Sequence, residues 1–216
     1  MADASAFPAV SIPDAYAILT APGMPFEMET IQIRGRPTRV YKNAPPNLRL
    51  LLEASRAHGA REFMVYDDER MTFDEHYRAV AAFARVLADR YGAAKGDRIA
   101  IAMRNLPEWS IAFWAGIALG CVVTPLNGWG TGDDLAYGVS DSGAKIAIVD
   151  AERLERIAEH LERCPDLKRL YVARQDEDVA NPLIAKLEDV NKRLALPVRT
   201  ISMATATDAD PADATT

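Results

Sequence analysis

GDRIAIAMRNLPEWSIAFWAGIALGCVVTPLN, residues 96–127, decides the fold. Gly96-Asp97 has the chemistry of a turn, and Arg98 to Met103 is a short, nearly unbroken apolar run. Such a run reads as a strand buried on both faces, as in a parallel sheet covered by helices. Asn105 and Pro107 then open a helix, with proline near the first turn, where its missing N–H costs nothing. The helix is predicted to run to Leu119 and to stop at Gly120, and Cys121 to Leu126 is a second buried strand.

The same alternation continues downstream. Thr131 and Asp134 have capping-box spacing, in which hydroxyl and carboxylate satisfy each other's free backbone N–H groups. A helix to about Ser142 follows, then a third strand over Lys145–Val149. Glu152 to Glu162 mixes acids and bases at helical spacing and reads as a salt-bridged surface face. Leu167 to Ala173 is a fourth strand. Upstream, Glu62–Tyr66 and Met71–Phe73 suggest a hairpin about Asp67–Arg70. Thr72 and Glu75 form a second capping box, opening a helix over Phe73–Tyr91 that buries Val80, Phe83, Ala84 and Leu87 and ends at Gly92. Leu48, Leu51, Leu52 and Ser55 have helical spacing after Pro45-Pro46-Asn47, closing at His58-Gly59. Met28 to Ile33 alternates apolar and polar, the pattern of a half-buried strand, and Gly35 marks the turn after it.

Strand and helix alternating at short spacing predict an α/β fold with a largely parallel sheet flanked by helices. The expected organisation is an amino-terminal extension over 1–46, the α/β domain over 47–203, and a small, acidic, disordered tail over 204–216. The chain has 216 residues, 49% of them hydrophobic, which suffices for one good core. Its net charge of −6, with no basic cluster in the sequence, argues against a nucleic-acid partner. Trp109 to Leu126 is the longest apolar stretch, and Ser110, Gly116, Gly120, Thr124 and Pro125 break it, so no membrane span is expected. The first ten residues lack a signal-peptide pattern, and Cys121 and Cys164 stand far apart like buried thiols, so a reduced, cytoplasmic protein is expected.

The search for chemistry is nearly empty. No Walker loop, GxSxG or HExxH occurs, and Arg104-Asn105-Leu106-Pro107 after the first strand lacks the glycines of a dinucleotide loop. That weighs against an unrelated nucleotide-binding domain. His58, His76 and His160 lie among charged residues and read as solvated; no metal or catalytic residue is assigned. Trp109, Phe113 and Trp114 share one helix, and serve either core packing or the wall of an apolar ligand channel. Asn127-Gly128-Trp129-Gly130 sets a tryptophan between two glycines, which a core does not need; a lid or an interface does.

Taken in order, Gly96-Asp97-Arg98-Ile99-Ala100-Ile101, Asn105-Leu106-Pro107-Glu108-Trp109, Ala118 to Asn127, Leu135-Ala136-Tyr137 and Asp141-Ser142-Gly143-Ala144-Lys145 resemble the amino-terminal part of the adenylate-forming superfamily. That superfamily comprises acyl-CoA synthetases, luciferases and peptide-synthetase adenylation domains. The resemblance spans about residues 47–173, and the loop from Asn127 to Gly132 looks most like the fatty-acyl-CoA ligases. It implies a two-step ligase. A carboxylate attacks the α-phosphate of Mg-ATP, and the thiol of coenzyme A then displaces AMP. The full-length family thus uses ATP, magnesium and CoA. Its Ser/Thr/Gly-rich phosphate loop would be expected just beyond Thr216, so no catalytic or cofactor residue carries over, and this chain alone is expected to bind no cofactor and to be inactive. Trp109, Trp114, Asn127 and Trp129 are the candidates for a substrate channel or an interface. Expected partners are the remainder of the ligase, a complementary chain, or a second copy. The alternative reading is a stand-alone binding or scaffold subunit that pairs with a separate ATP-binding chain.

Overall fold

A computed structural model describes residues 10–174 and 198–201; the acidic tail expected over 204–216 lies outside the described residues. The chain divides into two units, residues 1–50 and 51–216. In the first unit, Ser11 caps helix α1 (Ile12–Leu19) by accepting the N–H of Asp14. Strands β1 (Met28–Ile33) and β2 (Arg36–Tyr41) form an antiparallel hairpin registered from Ile33 opposite Arg36 to Met28 opposite Tyr41. Arg34 and Gly35 both take positive φ, 50° and 76°, as a turn matched to the strand twist requires. The strand is where alternation placed it, but it is not half-buried: none of residues 10–50 is buried. Alternation reports two unlike faces; it does not say that either is covered.

Helix α2 (Leu48–Ser55) runs into a single 3-10 turn over Arg56–His58, and Gly59 closes it at φ 53°. Hairpin β3 (Glu62–Tyr66) and β4 (Glu69–Thr72) leads directly into α3 (Phe73–Tyr91). Both halves of the expected capping box form there: Thr72 N–H donates to the Glu75 carboxylate at 2.7 Å, and Glu75 N–H donates to Thr72 Oγ1 at 3.2 Å. The N–H of Thr72 is the main reason the Glu75 carboxyl lies below its ordinary range.

The remaining elements are β5 (Arg98–Ala102), α4 (Pro107–Ala118), β6 (Val122–Pro125), α5 (Gly132–Ser142), β7 (Ile146–Asp150), α6 (Ala151–Ile157), β8 (Arg169–Ala173) and β9 (Val198–Ile201). A 3-10 stretch, Ala158–Arg163, ends the charged helix earlier than expected. The strands form one sheet in the order β6-β5-β7-β8-β9, every pairing parallel. β9 is an addition to the four expected strands.

The pleat sends alternate side chains of the sheet to opposite faces. Ile99, Ile101, Ile146, Ile148, Tyr171 and Ala173 join the core under α3 and α4. Their neighbours Ala100, Ala102, Ala147, Val149, Leu170 and Val172 join a second core under α5 and α6. His76 departs from the solvated reading. It is 2% exposed, with its Nε2 3.0 Å from Ser110 Oγ on the neighbouring helix and its ring 4.4 Å from that of Phe63. The acids beside it in sequence point elsewhere, because neighbours one or two positions apart on a helix lie on different faces. Burial pushes its imidazole down to about 4. Cys121 and Cys164 are buried free thiols, and burial raises Cys121 to about 11.

Candidate substrate cleft

Chain order and strand order differ at one place. From β5 the chain passes through α4 to β6 on one side, then returns through α5 to β7 on the other. The crevice outside the carboxyl ends of β5 and β7 is therefore a topological switch point, where open α/β sheets take their ligands. A cleft of about 420 Å³ lies there, lined among others by Arg104 and Asn105 after β5, Asp150 and Arg153 after β7, and Arg174 after β8.

Asp150 organises this end of the sheet. It is 6% exposed and caps α6 by accepting the N–H of Arg153 at 2.9 Å. It also accepts the N–H of Arg104 at 2.9 Å, tying the exit of β5 to that of β7. Arg153 is fully buried: Nη1 meets both Asp150 oxygens at 3.2–3.3 Å, and Nε donates to the carbonyl of Gly128 at 2.5 Å. Its Nη2 is buried with no partner among the described residues. Arg156 Nη1 donates to the carbonyl of Gly130 at 2.9 Å. Two arginines of α6 thus hold both glycine carbonyls that flank Trp129. The surface reading of the 152–162 helix holds for Arg156 with Glu152, which pair one turn apart, but not for Arg153.

Asn127 uses both its oxygens within the loop. Its Oδ1 accepts the N–H of Trp129 at 3.1 Å, and its carbonyl accepts the N–H of Gly130 at 3.0 Å. Gly128 is there because a Cβ would come within 2.9 Å of the Met103 carbonyl oxygen. The Trp129 ring is left 67% exposed, with the Arg104 guanidinium 3.6 Å from its centroid. Among the described residues no carboxylate pairs with that guanidinium. The arrangement is a flat aromatic surface backed by a cation; Arg104 lines the cleft, and Trp129 is not among the residues that do.

Trp109 and Trp114 lie elsewhere. Trp109 stacks on Phe113 at 5.3 Å and 10°, and lines a hollow of about 240 Å³ with Ser110 and Met64. Trp114 lines another, of about 290 Å³, with Phe63 and His76. Both indoles are partly buried and pack against the α3–α4 core. On the far side of the cleft, Arg174, at φ 55°, bridges Glu108 of α4 and Glu69 of β4 at 2.7–3.1 Å, with its guanidinium over the Tyr66 ring. Its hydrogen bond holds the Glu69 carboxyl below the usual range. Arg104, Asp150, Arg153 and Arg174 were not singled out from sequence. The one available signal was Asp150 directly after an apolar run, an N-cap position.

A family model described as "AMP-binding enzyme" matches residues 51–215. A long-chain-fatty-acid–CoA ligase of Mycobacterium tuberculosis is 36% identical over 84 residues, 39% of this chain and 16% of that protein. One of Yersinia pestis is 25% identical over 158 residues, 71% of this chain and 28% of the relative. Among solved structures, a Mycobacterium tuberculosis fatty acyl CoA synthetase superposes with a TM-score of 0.54 at 26% identity, covering 66% of this chain and 28% of that one. The chain thus spans less than a third of the length of these relatives.

Proposed function

Since the chain belongs to the AMP-binding enzyme family, as an acyl-CoA ligase relative whose α/β unit corresponds to the amino-terminal portion of the adenylate-forming ligases, we propose that it builds the lobe of an acyl-CoA ligase that receives the nucleotide end of coenzyme A. The whole reaction joins a carboxylic acid to CoA, with ATP giving AMP and diphosphate. This lobe's part is positioning. The observation that carries the reading is Trp129, exposed over Arg104 at the switch point, in a loop fixed by Arg153 and Arg156. An adenine ring would stack on the open face of the indole, a contact worth roughly 1–3 kcal/mol per base. Arg104 would pair with a phosphate, strengthened because it has no carboxylate to leave.

ATP is a different matter. These residues contain no phosphate-cradling loop, and among the described ones no three His, Cys, Asp or Glu side chains cluster to hold a metal ion. We propose that the triphosphate and its magnesium are held by a further part of the ligase or by a complementary chain. Among the described residues no helix is long and apolar enough to cross a membrane.

Titration with CoA, reading tryptophan fluorescence, tests the cleft. CoA should quench emission, pantetheine should not, and Trp129→Ala should weaken binding roughly 10-fold or more. Equal binding of CoA by wild type and Trp129→Ala would refute the assignment. With ATP and any fatty acid, the purified chain should give no acyl hydroxamate above a heat-killed control.

A further inference from the structure

We propose that the hollow of about 290 Å³ bordered by α2, β3, α3 and α4 binds a small, uncharged molecule with an aromatic body and a carbonyl oxygen. All of its lining belongs to residues 51–216, and none of it is shared with the substrate cleft.

The lining is aromatic because three elements each bring a ring to it. Phe73 opens α3 and His76 follows three positions on, so the two share one face of that helix. Phe63 of β3 packs on both, its ring centroid 4.7 Å from that of Phe73 and 4.4 Å from that of His76. Trp114 of α4 lines the hollow as well, and Leu52 of α2 supplies a buried aliphatic side. Ala54 and His58 are exposed at the rim, so the hollow opens to solvent. Offset and edge-to-face contacts with such rings favour an aromatic guest. At interior packing density the space takes about ten to fifteen non-hydrogen atoms.

The polar groups of the lining decide what the guest must carry. Ser55 is turned back on its own helix, donating to the Leu52 carbonyl at 2.6 Å, and His58 Nδ1 meets Arg61 Nη1 at 3.3 Å. That leaves His76, buried and kept neutral by that burial, with one donor and one acceptor nitrogen. The Ser110 hydroxyl has no acceptor among the described residues other than His76 Nε2, at 3.0 Å, so the hydroxyl donates and Nε2 accepts. The ring proton then sits on Nδ1, which has no partner among the described residues. A buried donor without an acceptor is costly, and a guest in the hollow supplies one. Water would satisfy Nδ1 and leave the rings wet, whereas an aryl ketone meets both needs. A carboxylate would bring a full charge to a single neutral donor among apolar walls, which an uncharged carbonyl avoids.

The test is a titration of the isotope-labelled full chain with acetophenone at neutral pH, followed by NMR of the tryptophan indole N–H groups. The Trp114 resonance should shift and that of Trp129 should not, which separates this hollow from the CoA cleft. α-Methylstyrene, with a methylene in place of the carbonyl oxygen, should bind roughly fivefold more weakly. Benzoate, of similar shape but charged, should also bind more weakly. His76→Leu should erase the preference for ketone over hydrocarbon, and Ala54→Phe, at an exposed position, should block both; circular dichroism verifies folding. The comparison of the three compounds on wild type needs no variant, so it decides the matter even where His76→Leu fails to fold. No shift at Trp114, equal affinity for ketone and hydrocarbon, or tighter binding of benzoate overturns the proposal. So does a preference that survives His76→Leu, or an Ala54→Phe variant that binds like wild type. Acetophenone binding without CoA binding would refute the reading of the cleft alone.

Discussion

Arg153→Met removes the one guanidinium that faces the buried Asp150. The carboxylate would keep two donors, the backbone N–H groups of Arg104 and Arg153, but lose its counter-charge. Breaking a buried ion pair from one side costs about 3–5 kcal/mol. The retained N–H groups, each a hydrogen bond to a charged acceptor, place the loss at the lower end of that range. The carbonyl of Gly128 would also lose its donor, about 1 kcal/mol, while methionine relieves the buried, unpartnered Nη2 by a similar amount. The net expectation is about 3 kcal/mol. Urea unfolding followed by circular dichroism would measure it. Adding Asp150→Asn removes the stranded charge while keeping a side-chain cap on α6, so the double variant should recover about 2 kcal/mol relative to the sum of the singles. A loss below about 1 kcal/mol for Arg153→Met, or strict additivity in the pair, would show that the charges do not depend on one another.

Three further outcomes follow from other parts of the molecule. His76 is held near 4 by burial against an ordinary 6.5. Between those values the unfolded chain binds the proton and the folded one does not, so the stability it contributes is complete above about 6.5 and is lost as pH falls towards 4, at up to about 1.4 kcal/mol per pH unit. His76→Leu should flatten the stability profile in that window, and an unchanged slope would sink the assignment. Gly132→Ala should destabilise by about 3 kcal/mol or prevent folding, since its Cβ would lie 2.1 Å from the Arg156 carbonyl oxygen; a soluble variant with a wild-type urea midpoint would contradict that packing. Arg174→Met should destabilise by about 3 kcal/mol, because Glu108 is 3% exposed and Arg174 is its ion-pair partner; Glu108→Gln in the same chain should restore much of the loss, and a double variant no better than the single would count against the pairing.

What the sequence disclosed followed from local chemistry. Apolar runs at Arg98–Met103 and Lys145–Val149 could only be covered strands, and Thr72 with Glu75 marked a helix start to the residue. Trp129 was visible because two glycines isolate it from any core. Arg104 was not, since its meaning depends on a ring 25 positions later that the parallel crossover brings over it. Arg153 was hidden by its company. On a helix carrying Glu152, Glu155 and Arg156, an arginine looks wet, and the N-cap carboxylate beneath it and the Gly128 carbonyl draw it inward. His76 misled for the same reason, because its partner Ser110 lies on another helix. Strand order, too, is set by crossovers that no local pattern encodes.

The glycines around the Trp129 loop give it a frame with no slack. A Cβ at Gly128 would come within 2.9 Å of the Met103 carbonyl oxygen, and one at Gly132 within 2.1 Å of the Arg156 carbonyl oxygen; each would meet backbone, which cannot rotate away. Arg153 and Arg156 fix the carbonyls of Gly128 and Gly130. The exposed indole is the part of the loop free to change, so a family variant suited to another ligand would exchange the ring at position 129 more easily than shift the frame that holds it.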